Sequence, residues 1–310
     1  MEMIRRDFLE MPALNLSIRQ QRTIKKAIIP AAGFGTRMFP VTKVVKKELL
    51  PIIDSDGRAK PIILKIVEEA VSAGVEEVGI IVQKGDLGVF QDFFQARPSQ
   101  ALLAKLSAEN HAYSDYLQTL GQHITFIIQE QQEGFGHAVF CAKNWLDNEP
   151  FLLFLGDHIY RTTAQKSCAQ QVLTAFHQAD CSVVGLTVMS EETIQKAGCA
   201  AGIWQIPNSL LKVTQLYEKP EPEYAKAHLH VTGMEDSEYL GMFGIYALSP
   251  DIFNYLEIEI ENNFRSRGEF QLTTCLERLR AAQGLLGLVV AGQYFDVGMP
   301  QIYRQTMQDF

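Results

Sequence analysis

The stretch Gly33-Phe34-Gly35-Thr36-Arg37 sets two glycines and an arginine directly after an apolar run, and Lys43, Lys46 and Lys47 follow with no acid before Glu48. Glycines at such a point let backbone N–H groups turn toward a phosphate chain. Cations gathered beside them can neutralise charge that develops at phosphorus during transfer. Two better-known phosphate patterns fail. Met38 stands where the third glycine of G-x-G-x-x-G belongs, which counts against a dinucleotide-binding oxidoreductase, and G-x-x-x-x-G-K-[ST] is not matched either. Taken alone, the loop is either a phosphate cradle or a structural turn.

Such residues need a frame that holds them. Ala27-Ile28-Ile29-Pro30-Ala31 reads as a short buried strand running into the glycine loop. Ile62, Ile63, Ile66, Val67 and Ala70 recur at helical spacing, with Pro61 in the first turn and Gly74 placed as a cap, so a helix is predicted over 61–73. Further strands are predicted at 78–82, 124–128 and 151–155, with helix-prone sequence over 86–120 and a helix over 136–145. Alternating β and α with continuous apolar strands predicts an α/β, Rossmann-like fold, with a mostly parallel or mixed central sheet flanked by helices. Ligands then belong at the carboxyl ends of the strands.

From Cys181 the pattern changes. Strands at 182–188, 200–206, 213–217 and 240–248 have fewer helices between them, which predicts a β-rich extension forming a second wall of the cleft. A helix carrying Leu272, Cys275, Leu276 and Leu279, a strand at 286–290 and a helix after Pro300 complete the chain. Without internal repeat or low-complexity linker, the expectation is an N-terminal arm over 1–24 and one domain over 25–310.

Composition limits the function classes. The chain has 310 residues, 47% of them hydrophobic and 21% charged, with a net charge of −8, as an ordinary globular protein has. No apolar run approaches the roughly 20 residues needed to cross a bilayer, and there is no signal-type hydrophobic core, so a cytoplasmic protein without membrane partner is expected. The acidic balance argues against a nucleic-acid surface. Five scattered cysteines without a C-x-x-C pair fit neither a disulfide framework nor a zinc knuckle. Positive charge is local: the loop above, and residues 1–26, the arm and the first residues after it, where Arg5, Arg6, Arg19, Arg22, Lys25 and Lys26 outnumber Glu2, Asp7 and Glu10. The arm reads as a packing or mobile segment, or as a partner-binding one.

Residues 31–43, AAGFGTRMFPVTK, continuing to Lys47-Glu48-Leu49-Leu50-Pro51, closely resemble the signature of the sugar-1-phosphate nucleotidylyltransferases, and the Lys-Glu-x-Leu-Pro ending resembles its bacterial UTP:glucose-1-phosphate uridylyltransferase branch. The resemblance runs on in order through Gln129, Gly134-Phe135-Gly136-His137-Ala138, Gly156-Asp157, Ala201-Gly202, Glu218-Lys219-Pro220, Gly244-Ile245-Tyr246, residues 269–273 and Phe295-Asp296-Val297-Gly298. It implies the nucleotide-diphospho-sugar transferase type of fold, UTP and glucose 1-phosphate as substrates, Mg²⁺ as cofactor and a homo-oligomer, dimer or tetramer.

The same resemblance implies the roles. Ala32, Gly33 and Gln129 would meet the uracil edge, Gly134 would let the base lie close to backbone, and Gly35 and Thr36 belong to the nucleotide loop. Arg37 and Lys47 would hold the triphosphate, while Lys43 and Lys46 read as solvated or outlying charges. Asp157 and Asp296 would hold Mg²⁺, a sensible use of carboxylates at strand ends, although an N-cap and a tight turn are the plainer readings of each. Gly202 would leave room for the hexose, with Glu218 on its hydroxyls and Lys219 on its phosphate, where otherwise an ion pair before a turn would stand. His137 reads as a packing residue. The chain departs from the branch at Lys46-Lys47-Glu48, commonly Pro-Lys-Glu, and at Arg267-Gly268-Glu269, commonly Gly-Asp-Glu, which loses an acid and adds a base. The alternatives are therefore thymidylyl, cytidylyl or adenylyl transfer. A non-catalytic sugar-nucleotide sensor could lose Lys47, Asp157 or Asp296, and all three are present.

Overall fold

The computed structural model describes residues 23–310. Residues 1–22, and with them most of the expected arm, lie outside the described residues. Ile24, assigned by sequence to the arm, is buried in the core, so the folded unit already includes it.

The first half alternates strand and helix. β1 (Lys26–Pro30) leads through three short 3₁₀ turns to a hairpin of β2 (Pro51–Ile53) and β3 (Ala59–Pro61), then α1 (Ile62–Ser72) and β4 (Glu77–Val82). α2 (Leu87–Phe94), α3 (Gln100–Leu103) and α4 (Ala108–Gly121) precede β5 (Ile124–Ile128). α5 (Phe135–Phe140) and α6 (Lys143–Leu146) precede β6 (Phe151–Phe154) and β7 (His158–Arg161), and α7 (Cys168–Gln178) follows. The second half is β-rich: β8 (Ser182–Ser190), β9 (Gly198–Ile206), β10 (Leu210–Glu218), α8 (Pro222–His228), β11 (Glu238–Leu248), α9 (Ile252–Glu261), α10 (Leu272–Gln283), β12 (Leu285–Val289), β13 (Gln293–Asp296) and α11 (Pro300–Asp309).

Local chemistry accounts for several boundaries. In α1 the buried residues are the predicted set Ile62, Ile63, Ile66, Val67 and Ala70, together with Leu64. Pro61 is its extended N-cap rather than a first-turn residue, and Gly74, at φ 92°, takes the left-handed position past the last turn that a side chain would resist. Ser167 and Gln170 close a capping box on α7, and Ser107 accepts from Asn110 N–H at the start of α4. The helix expected over 136–145 is two short ones, α5 and α6, and the stretch 86–120 holds three.

Among the described residues, nine strands form one sheet in the order β5-β4-β1-β6-β11-β8-β12-β10-β9. β5, β4, β1 and β6 are parallel. β11 enters antiparallel between β6 and β8, β12 is parallel to β8, and β10 and β9 continue antiparallel. Apolar clusters line the sheet: one joins α1 and α7 to the strands, the other α5, α9 and α10. The fold is the expected α/β one, with a mixed sheet, parallel on the loop side and largely antiparallel beyond it.

Among the described residues, two small antiparallel ribbons lie outside the sheet, β2–β3 and β7–β13. The second matters most for chemistry, because its register sets Asp296 opposite His158, next to Asp157.

Candidate active site

The carboxyl edge of the four parallel strands gathers the chemistry. Ala31 to Gly35 follow β1, Gln83 follows β4, Gln129 follows β5, and Gly156-Asp157 follow β6. Gly156 is required there by close approach, since a Cβ would stand 2.1 Å from the Pro30 carbonyl oxygen.

Lys47 Nζ lies 2.6 Å from Asp157 Oδ2 and 3.7 Å from Glu48 Oε1. Arg37 reaches both acids, 3.6 Å from Asp157 Oδ2 and 3.3 Å from Asp296 Oδ2. Val297 N–H donates to the Asp157 carbonyl at 2.9 Å, and Gly298 N–H to Asp296 Oδ1 at 3.1 Å. A Cβ at Gly298 would stand 2.5 Å from Asp157 Oδ2, so only glycine lets that turn close over the acids. Four residues named from sequence, Arg37, Lys47, Asp157 and Asp296, are thus one cluster drawn from three distant parts of the chain.

Electrostatics follow from this packing. Burial alone would raise the Asp157 carboxyl, but Lys47, His158 and Arg37 outweigh it and hold it well below the usual range. Burial would likewise lower the Lys47 ammonium, yet Asp157 and Glu48 keep it firmly protonated. Burial pushes the Glu48 carboxyl up to about 7 against the pull of Lys47.

Among the described residues, Asp157, His158 and Asp296 bring ligand atoms within 4.8 Å of one another. The two carboxylates suit a hard divalent cation. His158 is turned to other work, with its ring stacked on Tyr294 at 4.6 Å and its Nδ1 3.5 Å from the Phe243 carbonyl oxygen.

The glycine loop is braced from its far side. Gly35 has φ 65°, and its carbonyl accepts from Thr42 Oγ1 at 3.1 Å. Gln83 Nε2 donates to the Ala32 carbonyl at 2.6 Å. Lys46 is not a solvated charge: it is paired with Asp86 at 2.8 Å and donates to the Gly33 carbonyl at 3.1 Å. Lys43 is exposed, as is the Thr36–Arg37 end of the loop.

Gln129 is buried and lies inside the neighbouring loop, its Nε2 3.1 Å from His137 Nδ1 and 3.4 Å from the Gly134 carbonyl. His137 Nδ1 is also 2.9 Å from the Gln131 carbonyl, the structural role expected of it. Gly134, at φ 116°, lies against the 269–270 segment, where a Cβ would come within 2.8 Å of the Phe270 carbonyl.

On the far side of the cleft, Glu218 accepts from Thr273 Oγ1 at 2.6 Å and lies 3.4 Å from Lys219 Nζ. Lys219 has φ 48°, and its carbonyl accepts from Arg267 at 3.1 Å. A cavity of about 500 Å³ opens beside Glu218, lined among others by Tyr217, Arg265, Arg267 and Thr273. Gly202 is not brought to this place. It pairs with Val213 in mid-strand, where a Cβ would stand 2.1 Å from the Lys212 carbonyl, so its glycine serves strand packing. The glycine facing Glu218 is Gly198: the two pair across β9 and β10, and a Cβ there would lie 3.2 Å from Glu218 Oε2. Sequence reasoning missed Gly198 and Gln83, and quoted Thr273 only within the 269–273 match, without a role. Gln83 had a signal, its place at a strand's carboxyl end.

The chain matches the family described as nucleotidyl transferase over residues 26–310. It belongs to the nucleotidyl transferase family. A relative from Staphylococcus saprophyticus, named UTP–glucose-1-phosphate uridylyltransferase 1, is 34% identical over 89% of this chain and 88% of its own length. A Bacillus subtilis protein named UTP–glucose-1-phosphate uridylyltransferase is 32% identical over 93% of this chain and 91% of its own. Among solved structures, a UDP-glucose pyrophosphorylase complexed with UDP-glucose superposes with a TM-score of 0.75 at 27% identity, covering 93% of this chain and 98% of that one. For a nucleotidyl transferase, a cation cluster facing paired carboxylates at the strand ends is the expected polarity of a site that handles polyphosphate.

Proposed function

We propose that this protein is a Mg²⁺-dependent UTP:glucose-1-phosphate uridylyltransferase, forming UDP-glucose and pyrophosphate. The observation that carries the reading is the Lys47–Asp157–Arg37–Asp296 cluster at the carboxyl edge of the parallel strands. The names of the relatives and of the superposed structure support the choice of nucleotide and sugar.

The acceptor phosphate is already ionised at neutral pH, so it attacks the α-phosphorus without a protein nucleophile, and pyrophosphate leaves. The chain's part is to align two anions that repel each other and to stabilise the charge that shifts toward the leaving group. Arg37 and Lys47 supply that positive charge, and Lys47 does so in a largely buried setting, where a charge is worth more than in water. Asp157 and Asp296 would hold Mg²⁺, which supplies Lewis-acid charge to the phosphates. Ala32, Gly33, Gly35, Thr36 and Gly134 form the nucleotide side, with Gln129 bracing it. Glu218 and Lys219 form the acceptor side with Gly198. Cytoplasmic location and a dimer or tetramer complete the reading, the second testable by sedimentation.

Purified protein with Mg²⁺ and glucose 1-phosphate, given UTP, dTTP, CTP and ATP separately, should release pyrophosphate fastest with UTP. A preference for another nucleotide would overturn the branch, and no release with any would favour a sensing role. Asp157→Asn should lower kcat by about a thousandfold or more while melting stays cooperative. Near-normal turnover in that variant would remove the metal role from Asp157.

A further inference from the structure

Glu48 is 1% exposed, and among the described residues neither of its carboxylate oxygens has a hydrogen-bond partner. A buried carboxylate left in that state is strongly disfavoured unless another charge answers it. The charge within reach is the Lys47 ammonium, 3.7 Å away and bonded instead to Asp157 at 2.6 Å. Lys47 therefore stands between two carboxylates, and the oxygen it holds, Asp157 Oδ2, belongs to the pair that suits a divalent cation. An ammonium held 2.6 Å from one oxygen of that carboxylate and a divalent cation on the same carboxylate repel each other, so binding of the metal weakens the hold of Asp157 on Lys47.

We propose that Glu48 is the alternate partner of Lys47: as a divalent cation takes Asp157, the ammonium moves off Asp157 toward Glu48 and the incoming phosphates. The lysine stem supports so short a movement. It runs along the glycine loop, where a Cβ at Gly33 would lie 3.9 Å from Lys47 Cε and one at Gly35 3.5 Å from its Cδ, so the stem is packed and only the tip changes partner. Glu48 is a positioning residue here, acting through Lys47. It keeps the released cation from being stranded in a desolvated pocket, and lowers the cost of freeing Asp157.

The inference rests on the reading of Asp157 as a metal ligand, and its test separates the two. Mn²⁺ binding to the nucleotide-free protein at pH 8, followed by electron paramagnetic resonance, needs no turnover. Asp157→Asn should abolish the binding; if it does not, the metal assignment itself fails. With that control in place, Glu48→Gln should weaken Mn²⁺ by about tenfold, because Lys47 then stays locked on Asp157. Lys47→Met should tighten Mn²⁺, and in the Lys47→Met background Glu48→Gln should change affinity by less than about twofold. An equal loss in both backgrounds would mean that Glu48 attracts the cation directly, and no loss in either would mean a packing role; each overturns the proposal. Melting curves confirm that the variants are folded, with Lys47→Gln replacing Lys47→Met if that one is not.

Discussion

At the scale of single residues, the site stores opposite titration behaviour in two acids that share one lysine. Asp157 is held below its ordinary range, so its contribution to stability is present above the unfolded value near 4 and is lost on acidification. Glu48 is raised from 4.5 to about 7, so the folded state binds its proton more tightly than the unfolded chain. Its contribution is whole below about 4.5 and is lost as pH rises through about 7. Glu48→Gln, neutral at every pH, should therefore be more stable than the parent at pH 8 by roughly 2–3 kcal/mol, with the gap closing at pH 5. Paired urea denaturation at the two pH values reads this, and an unchanged gap would contradict it.

At the scale of elements, glycines divide into those that shape the site and those that only shape the backbone. Gly198→Ala would put a methyl 3.2 Å from Glu218 Oε2, and should raise KM for glucose 1-phosphate with little change for UTP. Gly202→Ala would force apart β9 and β10 at Lys212, and should lower the melting temperature instead. Gly134→Ala combines a positive φ with a clash against Phe270, which Arg265 also holds by stacking at 4.1 Å and by its ion pair to Glu133. It should raise KM for UTP by about tenfold or more, since the nucleotide-side loop can no longer seat on the 269–270 segment. Gly57, with φ 78° and nothing within 4 Å of a Cβ, is the control: alanine there should cost about 1 kcal/mol and leave both KM values alone.

At the scale of the molecule, one sheet runs from the proposed nucleotide side to the proposed acceptor side, and β6 and β11 join its two halves. Residues 24–310 should then unfold as a unit. Trp145 lies against Gly79 on β4, and Trp204 is on β9 at the opposite edge, so single-tryptophan variants report the two ends separately. Their denaturation curves should coincide. Leu153→Ala, in the fully buried centre of β6, should shift both curves together by about 2–5 kcal/mol. Separate transitions would instead divide the chain into two domains.

Much of this was legible in the chain itself. The apolar runs of β1, β4, β5 and β6 and the spaced isoleucines of α1 have local causes, because burial on two faces and on one stripe leaves different periods. The roles of Arg37, Lys47, Asp157 and Asp296 stood out only through the resemblance to a family signature, not through any period of the chain. Distance was not legible. Asp296 reaches Asp157 through the register of the β7–β13 ribbon, and a pairing between strands so far apart in sequence leaves no local period. Gly198 rather than Gly202 faces Glu218 because of the stagger between β9 and β10, with its register shift near Val213. Glu48 belonged to the Lys-Glu-x-Leu-Pro signature without a role of its own until the fold closed over it. Sequence determined which elements form and which residues carry charge; tertiary structure decided which charges share a desolvated space, since desolvation belongs to the packed molecule and to no segment of it.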